Sequence, residues 1–327
     1  MRWWDVAWGS PTTHSLPPLV IIAGATASGK TSLALQLSTS LSGAEIVSAD
    51  SRQVYRGMDI ATAKPSAAEL QVAPHHCLDL VAPDVPFAAA DYQRAALAAL
   101  AGIAERGGIA LLVGGTGLYL RTIARGYPLD EGSSDPLLRA ELEARNAQEG
   151  VEALSAELQQ RDAAAADVVD LRNPRRVIRA LERAILTGSA LPPPPQGYPA
   201  PLIWLGLRHQ PPAHRRAIEA RVDEHFAAGL LEEAARLRSC YPEDLPAFSA
   251  MGYREAFDVL AGRCDVATAK ARDTQRTWAY ARRQRTWFRS EPDITWLEAG
   301  EGAAAAAADV LAPFLGQLAH GDYAGGR

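Results

Sequence analysis

Short unbroken apolar runs, spaced along a chain that is otherwise helical in period, set the architecture. LVIIAG from Leu19, AEIVSAD ending at Asp50, CLDLV from Cys77, IALLVGG from Ile109 and LIWLGL from Leu202 are bounded by turn residues. They read as strands buried on both faces, the kind parallel sheets use. A helix beginning near Lys30 runs through SLALQLSTSL, and an alanine-rich helix is expected from about Ala88 to Glu105. Alternation of this kind predicts an α/β fold with short right-handed crossovers.

Between Tyr127 and Tyr198 the pattern changes. LLRAELEARN, VEALSAELQQ and PRRVIRALERAIL are helical in period, no buried strand is apparent, and the stretch closes on LPPPPQGYP, which cannot continue a helix. Helices are then expected from Arg215 through Phe288, and the alanine run after Gly300 reads as a frayed helix. The predicted organisation is an N-terminal extension (1–18), a P-loop NTPase-like parallel-sheet core (19–126 and 199–298), an inserted all-helical domain (127–198) and a C-terminal tail (299–327).

Composition narrows the class. At 327 residues the chain exceeds one typical domain, and 48% hydrophobic with 22% charged residues is ordinary for a globular protein. The cysteines, Cys77, Cys240 and Cys264, are too scattered for a disulfide framework or a zinc knuckle, which fits a reducing cytoplasm. The first residues carry Asp5 and lack an apolar core, so they do not read as a signal peptide, and no run is long enough to span a bilayer. A net charge of -5 argues weakly against nucleic acid. Its distribution counters that: Arg172, Arg175, Arg176, Arg179 and Arg183 cluster in one segment, and Lys270, Arg272, Arg276, Arg282, Arg283, Arg285 and Arg289 in another.

GATASGKT, Gly24 to Thr31, satisfies G-x-x-x-x-G-K-[ST] and lies between a strand and a helix start, where that pattern must lie. Its backbone N–H groups and the helix dipole suit phosphate oxygens, Lys30 adds a cation, and Thr31 offers a hydroxyl to Mg²⁺. ATP hydrolysis would normally add an apolar run ending in Asp; the strand IALLVGG ends instead in Gly114-Gly115-Thr116-Gly117. Asp50 and Thr116 follow the carboxyl ends of two strands, the rim where open α/β sheets bind ligands. Asp50 can serve there as a base, or equally cap a helix that begins at Ser51.

Arg172, Arg176, Arg179 and Arg183, with Arg175, are spaced to share one helical face. Arg282, Arg285 and Arg289 recur beside Trp278, Trp287 and Phe288. Guanidiniums pair with phosphates and rings stack on loop bases, but the same pattern also describes a solvated face and a core stripe. Adjacent His75 and His76 on an extended segment point apart and are not expected to converge on a metal.

The motifs GATASGKT, SADSRQVYRGMDIATAKP, PHHCLDLV, LLVGGTGLYL, NPRRVIRALE, MGYRE and RRQRTWFR occur in the order and approximate spacing of the tRNA dimethylallyltransferases, which the chain resembles from about Leu19 to Leu297. The resemblance implies transfer of a dimethylallyl group from dimethylallyl diphosphate to N6 of adenine 37 in the tRNA anticodon loop, with Mg²⁺, by a cytoplasmic monomer. It makes Asp50 the general base and places Thr116 at the bridging oxygen of the diphosphate. Arg221 would reach the leaving group, which Gly24, Ala25, Thr26, Ala27, Ser28, Gly29, Lys30 and Thr31 would hold, with Thr31 on Mg²⁺. Contacts to tRNA are implied for Asp50, Ser51, Arg52 and Gln53, for Thr116 and Arg139, and for Arg175, Arg176 and Arg179. Ser249 through Arg254 (with Gly252 and Tyr253) and Arg282 through Arg289 (with Arg283 and Arg285) complete that set. Ala61 stands where the family usually has Gly, and Met251 where a β-branched residue is commoner.

Three rival readings have distinct signatures. An adenylate prenyltransferase would have little use for the helical insertion or for RRQRTWFR. A small-metabolite kinase or ATPase would carry the missing apolar-run-Asp element. A catalytically idle RNA-binding module would have no need to keep Lys30, Thr31, Asp50 and Thr116 together.

Overall fold

The protein is described by a computed structural model covering residues 16–129 and 134–320. It divides into two compact units, 1–124 with 198–327, and 125–197.

The larger unit is built on a six-stranded parallel sheet. In chain order its elements are β1 (Leu19–Gly24), α1 (Lys30–Ser40), β2 (Ala44–Ser48), α2 (Ala67–Val72), β3 (His75–His76), α3 (Ala89–Glu105), β4 (Ile109–Gly114) and α4 (Gly117–Ala124). In the smaller unit follow α5 (Pro136–Arg161), α6 (Ala163–Val168) and α7 (Pro174–Thr187). The larger unit resumes with β5 (Leu202–Arg208), α8 (Pro211–Ala227), α9 (Leu230–Cys240), α10 (Tyr253–Leu260), α11 (Val266–Phe288), β6 (Ile294–Glu298) and α12 (Ala303–His320). The strand order is β3-β2-β4-β1-β5-β6.

Strand β1 is central, pairing in parallel with β4 through Leu19↔Ala110 and with β5 through Leu19↔Leu202. Its side chains alternate between two cores. Leu19, Ile21 and Ala23 pack with Tyr92, Leu100 and Ile103 of α3, Leu120 of α4 and Phe288 of α11. Val20 and Ile22 pack with Leu33 and Leu37 of α1 and Leu311 and Phe314 of α12. Burial on both faces is why these strands read as continuous apolar runs.

Several sequence expectations change. AEIVSAD leaves the sheet at Ser48, and Asp50 Oδ1 instead accepts from the Arg52 amide at 2.8 Å, turning the chain. CLDLV is not a strand: the strand pairing with β2 is the preceding His75–His76, and Val81 makes one isolated bridge to Tyr55. Cys77 (φ 63°) and Asp79 (φ 54°) are left-handed, which no strand accommodates. The tail after Gly300 forms α12, held by burial of Ala307, Leu311 and Phe314; each large apolar side chain contributes roughly 2 kcal/mol. Strand β6, not anticipated, pairs with β5 through Trp204↔Ile294.

The smaller unit has its own core of Leu142, Leu154, Leu158, Val177, Ile178 and Leu181. Helix α5 breaks at Gly150 (φ 83°), joining two of the helical runs seen in the sequence. At its base the Gly197 amide donates to Arg125 O (2.8 Å) and the Gln196 amide to Gly126 O (3.2 Å). Among the described residues no helix is long and apolar enough to cross a membrane.

Candidate active site

The carboxyl ends of β1, β2 and β4 lie side by side in the sheet, so the phosphate loop, Asp50 and Gly114–Thr116 share one rim. Gly29 (φ 87°) caps α1 without a side-chain hydrogen bond, leaving the first-turn amides for an acceptor outside the helix. A cavity of about 190 Å³ opens there. Its walls include Thr26, Lys30 and Thr31 of the loop, Asp50 to Gln53, Arg221 and His225 of α8, and Asp273, Thr277, Tyr280 and Gln284 of α11.

The cationic side is Lys30 with Arg221. Lys30 Nζ donates to Ala25 O at 2.8 Å, and its ammonium is lowered to about 7, first by burial and then by Arg221, with Asp50 opposing. Burial also lowers the Arg221 guanidinium, against the pull of Glu224 and Asp50, and burial beside Arg221 lowers His225 to about 4. Two cations forced together in a desolvated wall favour an incoming anion, which relieves both terms at once. The anionic side is Asp50. No helix follows Asp50: Oδ1 accepts from the Arg52 amide and closes a turn, while the side chain lines the cavity. Tyr280 lies beside it, its phenol pushed up to about 12 by burial and then Asp50.

Thr116 follows Gly115, which lines the cavity. Its hydroxyl oxygen accepts from the Ser51 amide at 3.0 Å and its hydroxyl donates to Ser51 Oγ at 3.4 Å. The loop itself is divided: Thr26, Lys30 and Thr31 face the cavity, whereas Ala27, Ser28 and Gly29 border a separate surface groove. Gly24 and Ala25 lie behind these, at the end of β1.

Of the remaining residues singled out, Ser51, Arg52 and Gln53 line the cavity, as do Ser249 and Met251. Gln53 is also a structural pin, accepting from Ser48 Oγ (2.7 Å) and donating to Thr62 O and Ala63 O. Gly252 (φ 94°) caps α10, and Arg254 is exposed. Tyr253 must be corrected. It is fully buried and donates to Glu233 Oε1 at 2.6 Å, so it shapes the core and cannot touch RNA. Arg282, Arg283 and Arg289 are exposed on α11, while half-buried Arg285 stacks 4.7 Å over Trp278.

In the smaller unit the supposed single arginine face is also corrected. Arg172 precedes α7, Arg175 and Arg176 are exposed, and Arg183 is buried, donating to Leu191 O at 3.0 Å. Arg139 (2.7 Å) and Arg179 (2.8 Å) converge on fully buried Glu182, which also accepts the Asp135 amide. Burial works against ionisation of that carboxyl, but the two guanidiniums and the amide outweigh it and hold it below its usual range.

Sequence reasoning passed over His214, His225, Asp273 and Tyr280, and took Gln284 only as part of the Arg282 through Arg289 tRNA-contact run. Their signal was a polar minority on buried faces: Asp273, Thr277, Ala281, Gln284 and Phe288 form the inner stripe of α11, three to four residues apart. His75 and His76 have separate partners, Ala73 O and Glu45 Oε2.

Residues 53–291 match the sequence profile described as IPP transferase. A tRNA dimethylallyltransferase of Roseiflexus sp. (strain RS-1) is 47% identical over 86% of this chain and 93% of its own length. One of Geobacter sulfurreducens is 43% identical over 86% and 91%. Among solved structures, the tRNA isopentenylpyrophosphate transferase of Bacillus halodurans is similar with a TM-score of 0.68 at 37% identity, covering 93% of this chain and 97% of that one. A eukaryotic dimethylallyltransferase acting on tRNA shares the fold with a TM-score of 0.80 at 24% identity, over 92% and 80% of the two chains. With the profile spanning well over half of its length and such relatives covering most of it, this chain belongs to the IPP transferase family.

Proposed function

We propose that this protein transfers a dimethylallyl group from dimethylallyl diphosphate to N6 of adenine 37 in the tRNA anticodon loop, giving N6-isopentenyladenosine and diphosphate. The observation that carries the reading is one cavity in which a phosphate loop with Lys30 and Arg221 stands opposite the carboxylate of Asp50. That pairing suits displacement at an allylic carbon better than phosphoryl transfer.

The adenine amine is a poor nucleophile because its lone pair is delocalised into the ring. Asp50, whose first oxygen is engaged by the Arg52 amide, takes the N6 proton as the lone pair forms the N–C bond. The C–O bond to diphosphate breaks, and the electron pair leaves with the oxygen. Lys30, Arg221 and the loop amides stabilise the charge that develops there. Tyr280, protonated far above neutrality, forms the cavity wall beside Asp50. Thr116 supports the bridging oxygen of the diphosphate, and its bond from the Ser51 amide fixes the turn that carries Asp50.

Mg²⁺ fits this site in a limited way. Thr31 brings a hydroxyl to the cavity wall, and among the described residues no three acidic, histidine or cysteine side chains form a cage. An ion would therefore rest on Thr31 and on the substrate's own oxygens, the usual arrangement for this cation. When bound it would neutralise part of the diphosphate charge. Contacts to tRNA are proposed for the exposed arginines Arg175, Arg176, Arg254, Arg282, Arg283 and Arg289, with Arg139 and Arg179 presented in fixed orientation by Glu182.

Incubation with labelled dimethylallyl diphosphate, Mg²⁺ and unmodified tRNA carrying A37 is expected to label the tRNA. Label appearing on free AMP and not on tRNA overturns the reading. Asp50→Ala should lose turnover by about 10²–10⁴-fold while tRNA affinity persists; near-normal turnover removes Asp50 as the base.

A further inference from the structure

Thr26 is held on both sides of its residue, by helix α11 at its amide and by helix α8 at its carbonyl. Its amide donates to Gln284 Oε1 at 2.8 Å, and Gln284 Nε2 donates onward to Gly115 O at 2.8 Å. Its carbonyl oxygen lies 2.8 Å from His214 Nε2, and His214 Nδ1 lies 3.2 Å from Arg285 Nη1. An arginine has donors only, so Nδ1 must accept from it, and the proton of the neutral imidazole sits on Nε2, donating to Thr26. Gln284 and His214 are buried, at 7% and 1% exposure.

Gln284 also joins the phosphate loop after β1 to the turn after β4. The fit is close: a Cβ added at Gly115 would lie 2.5 Å from Gln284 Nε2, so glycine at 115 leaves the space the amide occupies. Neighbouring Arg282 and Arg283 point to solvent, so within RRQR two residues face outward and the next two brace the loop.

We propose that Gln284 is a positioning residue for the diphosphate, setting the phosphate loop against the β4 turn, with His214 and Arg285 bracing the same loop residue from its carbonyl side. The inference rests on the reading that this loop grips the donor's diphosphate. A loop amide satisfied by a fixed side chain cannot rotate to follow solvent, so the remaining amides stay aimed before the ligand arrives. Removing the brace costs diphosphate affinity and donor KM and leaves intrinsic tRNA binding alone, because Gln284 sits on the inner face of α11, away from the exposed arginines.

The test is calorimetric binding of inorganic diphosphate to the full chain, with steady-state kinetics, for Gln284→Leu and Gln284→Glu. Gln284→Glu keeps the acceptor for Thr26 and the shape of the side chain, and turns an oxygen towards Gly115 O. It decides alone if Gln284→Leu does not fold, as judged by circular dichroism. Diphosphate Kd and donor KM are expected to rise about tenfold, with tRNA Kd within twofold of wild type. A folded variant whose diphosphate Kd and donor KM both stay within twofold overturns the proposal, as does an equal loss of tRNA affinity. Failure of the wild type to bind diphosphate overturns instead the reading beneath it.

Discussion

Two residues carry charge states that can be tested directly. Lys30, lowered to about 7, must regain its proton when a diphosphate settles beside it. The ammonium is favoured in the bound form, so affinity is greatest below pH 7 and falls as pH rises above it, by up to about tenfold per unit. At pH 8 calorimetry in buffers of different ionisation enthalpy should show more proton uptake for wild type than for Lys30→Arg; equal uptake contradicts the assignment. Asp273 is shifted in the opposite direction, raised from 3.8 to about 6 chiefly by burial and then by Glu255. Its folded form binds the proton more tightly than its unfolded form, so its contribution favours folding as pH falls through 6 towards 4 and opposes it above. Asp273→Asn keeps the acceptor for Thr277 and should raise stability by about 3 kcal/mol at pH 8, with most of the gain gone near pH 4 in thermal melts. At this scale the sequence was legible where chemistry is local. GATASGKT declares itself, whereas the Gln284 brace spans 258 positions and leaves only a polar residue on a buried stripe. Tyr253 misled because a motif match says nothing about which way a side chain points.

Helix α11 separates into two electrostatic halves. Lys270 pairs with Asp223, Arg272 with Asp258 and Arg276 with Glu255. Among the described residues Arg282, Arg283 and Arg289 have no carboxylate partner. The basic run visible in the sequence is therefore half neutralised, and only its later half offers free charge to phosphate. Replacing Arg282 and Arg283 together by Gln should weaken tRNA binding and flatten the slope of log K against log salt by about one to two. Lys270→Gln should leave that slope unchanged; a filter-binding series over salt distinguishes the outcomes. Elements buried on both faces, such as β1 and β4, were legible to within a residue or two. CLDLV failed because two left-handed residues break an apolar run that periodicity alone cannot see, and α12 was undervalued because alanine hides the Leu311 and Phe314 that anchor it.

At the scale of the whole molecule the two units have separate cores, and the helical unit begins and ends at a neck closed by backbone hydrogen bonds between Arg125–Gly126 and Gln196–Gly197. Replacing residues 127–196 by a short glycine linker should leave the sheet folded and diphosphate affinity near wild type, while tRNA affinity falls. Loss of the cooperative melt would contradict the independence of the cores. The helical character of 127–198 was legible from period and from the proline run that ends it; the pairing that closes the neck was not, because it uses main-chain groups common to every residue. For folding, that pairing shortens the effective path between β4 and β5. Strand β1 must be sandwiched between those two, and the intervening segment can condense on its own local contacts while its ends stay together. A long detour in sequence thus behaves, for the nascent sheet, as a tight crossover, and the order in which the two units condense need not matter to either.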